Sequence, residues 1–310
     1  MKRLLGAGLL LTAAFGAATL AAADSNARWD FLRMNLQVFP GTEKIFQPDD
    51  LLFWKLRPNL QEVPASEKLP DAEHAFRVST DAEGRRRTPA GAEGAKTMLF
   101  LGDSCTFGIP VNDAEAFPAR VGEALGVRAI NAGVPGYSAF QGRLVLEQAL
   151  AAGERPDVVV ITFWVNGRTV WDHLSDAEHS ELMAAERAGE MSRHRVTRLL
   201  RRVLPEGRPR LTEEEFGSEI RAMVEAARKA GAVPVLVVWP SAVQMDGGME
   251  HPRQTLLRTI GRETGTVVAE PLEAFRAAGG ARLFVDPVHA TAEGYEVAAR
   301  AVAAALAKLP

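Results

Sequence analysis

From Thr97 onward the chain alternates short, nearly continuous apolar runs with longer stretches in which apolar residues recur every three or four positions. Unbroken runs of this kind are how strands buried on both faces read, and their alternation with amphipathic stretches is the mark of a parallel sheet built from βαβ units. The pattern predicts strands over Thr97–Leu101, Arg128–Asn131, Val158–Phe163, Val233–Trp239 and Thr266–Ala269. It predicts helices over Phe117–Leu125, Ala139–Ala152, Glu213–Ala230, Arg253–Thr264 and Ala292–Lys308, the last behind Thr291 as N-cap. Crossover helices must cover both faces of such a sheet, so the expected fold is α/β, a three-layer α/β/α sandwich around a parallel sheet.

Three segments depart from this rhythm. Residues 24–95 are rich in loop residues (Phe39-Pro40-Gly41, Arg57-Pro58-Asn59, Asp81 to Gly94 with Arg85, Arg86 and Arg87), with short apolar pieces such as Leu51 to Leu56 able to pair as small strands. They read as an N-terminal extension packed on the α/β domain, residues 96–310. Residues 171–209 form an inserted, lid-like segment, since a βα connection needs only ~2–6 residues. Two helical stretches fall within it, around Asp176 to Gly189 and Ser192 to Leu204. The second sets Arg193, Arg195, Arg198, Arg201 and Arg202 beside Val196, Leu199, Leu200, Val203 and Leu204. Such a helix suits a solvated cover over the sheet edge, a membrane-surface contact or a clamp on an anionic polymer. At the N-terminus, Met1-Lys2-Arg3, the uncharged run Leu4 to Leu20 and Ala21-Ala22-Ala23 read as an export signal over residues 1–23, which puts the mature chain in the periplasm or outside the cell. An uncleaved membrane anchor is the competing reading, because the run approaches the ~20 residues needed to span a bilayer.

Composition narrows the chemistry. A net charge of −3 gives no basic excess to draw nucleic acid, and neither zinc-type Cys/His spacing nor a phosphate-cradling loop is present, so no metal or cofactor is expected. The one cysteine, Cys105, has no partner for an intramolecular disulfide and reads as a small packing residue. The group Asp172, His173, Asp176 and His179 superficially suggests metal ligands, but reads as an exposed polar surface.

The candidate chemistry lies at strand ends. Met98 to Gly108 is a strand-like run that stops at Gly102-Asp103-Ser104 and turns into a helix, which places Ser104 where open α/β sheets bind ligands and helix N–H groups favour an anion. A serine nucleophile needs a base, and Asp286-Pro287-Val288-His289 lies just before the last helix; Asp286 can accept from Nδ1 and leave Nε2 for Ser104. The same acid-to-histidine spacing occurs at Asp71 to His74 and Asp176 to His179, but in the extension and the insertion. Asp103 reads as a residue that holds the serine loop. Between the two ends, Gly136 offers a backbone N–H and Asn166 a side-chain N–H to a developing oxyanion. Trp164 and Trp171, flanking Asn166, could stack on a sugar ring, wall an acyl chain, or simply pack.

The order Ser104, Gly136, Asn166, Asp286-x-x-His289 over roughly two thirds of the chain resembles the SGNH (GDSL) hydrolase family. The resemblance implies a flavodoxin-like sandwich, Ser104 as nucleophile, His289 as general base, Asp286 as its orienting carboxylate, and Ser104 N–H, Gly136 N–H and Asn166 as oxyanion hole. One block departs from the family pattern: where Gly-x-Asn-Asp is usual, this chain has Trp164-Val165-Asn166-Gly167. The expected function is an exported serine esterase acting on short acyl esters, acetyl above all, carried on a carbohydrate, the partner being a small-molecule or polysaccharide ester. The alternatives are an O-acyltransferase acting on an envelope polysaccharide with the same residues, and a degenerate module that binds carbohydrate without turnover.

Overall fold

The computed structural model describes residues 44–68, 73–167, 174–187 and 208–309. The export pattern at residues 1–23, Trp171, and the arginines from Arg193 to Arg202 lie outside the described residues. Among the described residues no helix is long and apolar enough to cross a membrane.

Two antiparallel hairpins come first, β1 (Phe46–Asp49) with β2 (Phe53–Leu56) and β3 (Val63–Lys68) with β4 (Glu73–Val78). A five-stranded parallel sheet follows, made of β5 (Thr97–Gly102), β6 (Arg128–Gly133), β7 (Val158–Thr162), β8 (Val233–Val237) and β9 (Val267–Ala269) in the order β6-β5-β7-β8-β9. All five β7 residues and the last five of β5 are buried, which accounts for their unbroken apolar reading. The helices are α1 (Ser104–Phe107), α2 (Phe117–Leu125), α3 (Ala139–Ala151), α4 (Asp176–Arg187), α5 (Glu213–Lys229), α6 (Pro252–Thr264), α7 (Leu272–Ala278) and α8 (Ala292–Leu306). Thr291 caps α8 by accepting the Gly294 N–H at 3.1 Å.

The chain runs from β5 outward to β6 and then crosses to β7 on the other side, so the order reverses beside β5. That crevice, at the carboxyl ends of β5 and β7, is where an open α/β sheet presents a site, and β5 delivers Ser104 to it. The turn is tight enough that a Cβ at Gly102 would stand 1.9 Å from Thr106 Oγ1, so a larger residue there would push α1 off the strand end.

The strand expectations hold with shifts of one or two residues at their ends. Val233–Trp239 shortens to Val233–Val237 because its neighbour β9 ends at Ala269, the partner of Val237; the last bond between the two strands runs from the Val238 N–H to Ala269 O at 3.0 Å. α7 and the second hairpin go beyond the sequence reading.

Candidate active site

Ser104 is the first residue of α1, and its capping residue is Asp103, whose Oδ1 accepts the Cys105 N–H at 2.9 Å. Asp103 is therefore a loop-holding acceptor, as its position suggests. Full burial pushes its carboxyl up to about 6, against the Cys105 N–H and the nearby His289, which favour the charge. A raised folded pKa means that the ionised form costs stability: the cost is complete above about pH 6 and vanishes as acidification reaches the ordinary carboxylate range. Asp103→Asn keeps a cap acceptor and is expected to raise Tm at pH 8 but not at pH 4, which thermal melts at the two pH values check.

Asp286 and His289 sit on a tight loop that Val285 closes by donating its N–H to His289 O at 2.9 Å. Asp286 Oδ1 accepts the N–H groups of Val288 (2.8 Å) and His289 (2.7 Å), while Oδ2 lies 2.6 Å from His289 Nδ1. Burial alone would raise the Asp286 carboxyl, but the His289 ring and the two N–H donors outweigh it and hold it below the usual carboxylate range. His289 Nε2 stands 2.7 Å from Ser104 Oγ. With Nδ1 donating to the carboxylate, Nε2 is free to accept the serine proton. Ser104 and His289 are only 7% and 9% exposed, so their pairing is sheltered from competing water. The two other histidines with the same acid spacing are elsewhere, His74 on β4 and His179 on α4 with its ring 5.6 Å from Phe53.

Asn166 follows β7 in the crevice, and its Nδ2 is buried without a hydrogen-bond partner. A buried unpaired amide costs about 1–3 kcal/mol, and an oxyanion bound in the crevice would satisfy it. Gly136 occupies the turn before α3 with φ +80°. Trp164 is 8% exposed, donates its indole N–H to Trp239 O at 2.8 Å and packs 5.1 Å from the His251 ring. So little open ring leaves packing as its evident role. Cys105 is buried beside the histidine loop, its Sγ 3.6 Å from Val288 O.

Three fully buried arginines, which the sequence gives no reason to place inside, each grip the backbone of one site loop. Arg86, from the extension, donates to Phe107 O (2.7 Å), Gly108 O (2.8 Å) and Val111 O (2.6 Å) just after α1, and pairs with Asp113 at 2.8 Å. Arg210 donates to Gly136 O at 2.7 Å and pairs with Asp176 at 2.7 Å, and Asp176 also accepts from the Ser138 hydroxyl. Asp176 is thus fully buried, which corrects the expectation that it belongs to an exposed polar surface with His179. Arg253 donates to Asn166 O at 2.5 Å. The extension adds a further brace, since Trp54 donates its indole N–H to Pro135 O at 3.0 Å.

Ser104 at the switch point of the parallel sheet, 2.7 Å from the sheltered His289, marks the candidate active site. The chain belongs to the GDSL-like lipase/acylhydrolase family, whose model matches residues 100–297. It is a carboxylic ester hydrolase of that family. Similar solved structures include a member of the G-D-S-L lipolytic family from Veillonella parvula, with 13% identity and a TM-score of 0.48 over 69% of this chain and 100% of that one. Another is a catalytic mutant of an acetylxylan esterase from Geobacillus stearothermophilus, with 17% identity and a TM-score of 0.45 over 71% and 96% of the two chains. No curated protein sequence matches the chain.

Proposed function

We propose that the protein is an exported serine esterase that removes short acyl groups, acetyl above all, from a carbohydrate. The observation that carries the catalytic reading is the continuous hydrogen-bond line Asp286–His289–Ser104, with spacings of 2.6 and 2.7 Å; the unpaired buried amide of Asn166, in the loop after the neighbouring strand β7, supports the oxyanion hole. In this reading Ser104 Oγ attacks the ester carbonyl carbon as its proton passes to His289 Nε2. The carbonyl oxygen becomes an anion held by the Ser104 and Gly136 N–H groups and Asn166 Nδ2. Collapse of the tetrahedral species breaks the C–O bond to the alcohol, which leaves with the proton from Nε2. Water then attacks the acyl-serine by the same route, giving up a proton to His289, and the acid departs as Ser104 recovers its hydrogen. Asp286, kept ionised by its partners, holds the ring in the right tautomer and stabilises the imidazolium.

Three features support the substrate class. The leader at Met1 to Ala23 would deliver the enzyme to cell-envelope and extracellular polymers. A serine only 7% exposed suits a small acyl group better than a long chain. The basic stretch Arg193 to Arg202, following the Asn166 block in sequence, suits an anionic polymer. Aryl esters of increasing chain length should therefore turn over fastest at acetyl, and an acetylated polysaccharide should release free acetate. A rate optimum at long fatty chains would refute the carbohydrate reading. Acetyl appearing on an added glycan would make the enzyme a transferase.

A further inference from the structure

Arg253 breaks two rules of placement at once. It is the second residue of α6, in the turn where the helix dipole disfavours a cation, and its side chain is wholly buried. Its Nε–H meets Glu213 Oε2 at 3.1 Å, and the remaining fork is spent on two backbone oxygens, Asn166 O at 2.5 Å and Leu211 O at 2.7 Å, while the guanidinium carbon lies 4.9 Å from the Phe216 ring centre. Leu211 closes the arrangement by donating its N–H to Gly167 O at 2.9 Å. Gly167 itself has φ +102°, and a Cβ there would stand 2.8 Å from Arg253 Nη1. The glycine is therefore what lets the guanidinium reach the Asn166 carbonyl, at the position where the family pattern usually has Asp.

Asn166 Nδ2 makes no hydrogen bond of its own, so the hydrogen bond that holds this residue is the one Arg253 makes to its carbonyl. We infer that Arg253 is a positioning residue for ester hydrolysis: by holding the carbonyl of Asn166 it aims the amide of that residue at the oxyanion. The inference rests on the reading of Asn166 as an oxyanion donor given above. It also accounts for the altered third block, with the Gly167–Arg253 pair fixing the loop.

The test is a double-mutant cycle on aryl acetate hydrolysis by the full chain, with rates normalised to folded protein by near-ultraviolet circular dichroism. Asn166→Ala should lower kcat by about 10²–10³ with KM changed only a few-fold, as for loss of an oxyanion donor. Arg253→Met should lower kcat by roughly 10²-fold, again with little change in KM. The variant carrying both should be no worse than Asn166→Ala within a few-fold, because the two act on one interaction. Arg253→Lys, which keeps one donor for the Asn166 carbonyl, should recover part of the rate. Should Arg253→Met fail to fold, Gly167→Ala supplies the second route: its Cβ displaces the guanidinium and should give the same kcat loss, non-additive with Asn166→Ala. An unchanged kcat per folded molecule, or losses that multiply in the double variant, overturn the inference while leaving the oxyanion reading intact. If Asn166→Ala itself retains activity within a few-fold, it is the oxyanion reading that falls, and the role of Arg253 with it.

Discussion

Ser104→Ala and His289→Ala are each expected to reduce ester hydrolysis by at least about 10⁴-fold while leaving the far-ultraviolet circular dichroism unchanged, and the double variant should be hardly worse than either one. The reason is the geometry: the hydroxyl and the imidazole share one proton across 2.7 Å, so removing either removes the reacting unit. Losses in units of this kind are grossly non-additive. Steady-state rates on an aryl acetate, with mass-spectrometric detection of a fluorophosphonate adduct on Ser104, provide the measurement. Additive losses in the double variant would sink the assignment. So would full labelling and turnover in His289→Ala.

The second large effect concerns stability. Arg86→Met keeps most of the side-chain volume but removes donors from the carbonyls of Phe107, Gly108 and Val111 and leaves Asp113 without its cation. Burial pushes the guanidinium pKa down and the Asp113 carboxylate, itself still partly exposed, opposes it. Deleting a buried donor costs about 1–3 kcal/mol for each buried group it leaves unsatisfied, and in a protein of this size a loss of a few kcal/mol lowers Tm on the order of 10 °C. The exposed Lys229–Glu225 pair is the control, since both side chains are mostly in solvent. Lys229→Ala should leave Tm where it is. Differential scanning calorimetry of the two variants decides the matter: equal melting temperatures would mean that Arg86 is not holding the serine loop.

The parallel sheet and the catalytic candidates were legible in the sequence because they are written in local patterns. A strand buried on both faces must be apolar throughout, so Val158 to Thr162 could hardly be read otherwise. Ser104, Asn166 and the Asp286-x-x-His289 step fall at the ends of apolar runs, where the fold places chemistry. The supports were not legible. Arg86, Arg210 and Arg253 satisfy carbonyl oxygens, and a carbonyl is present at every residue, so no side-chain pattern marks the partner. Arg86 stands in a run with Arg85 and Arg87 that looks like solvated loop, and only the fold separates them: Arg86 is 1% exposed, while Arg85, half-buried, pairs with Glu154. Asp176 was misplaced for the same reason, because its partner Arg210 lies just past the insertion, 34 residues on.

The arginine grips also bear on when the enzyme becomes dangerous to esters around it. The serine loop is held by a residue of the extension, the Gly136 turn by one that follows the insertion, and the Asn166 loop by one in the sixth helix. No contiguous stretch of the chain therefore carries an armed serine. With Ser104 read as the nucleophile, a chain in which any of these segments is undocked would lack the assembled site and should not react with an ester probe.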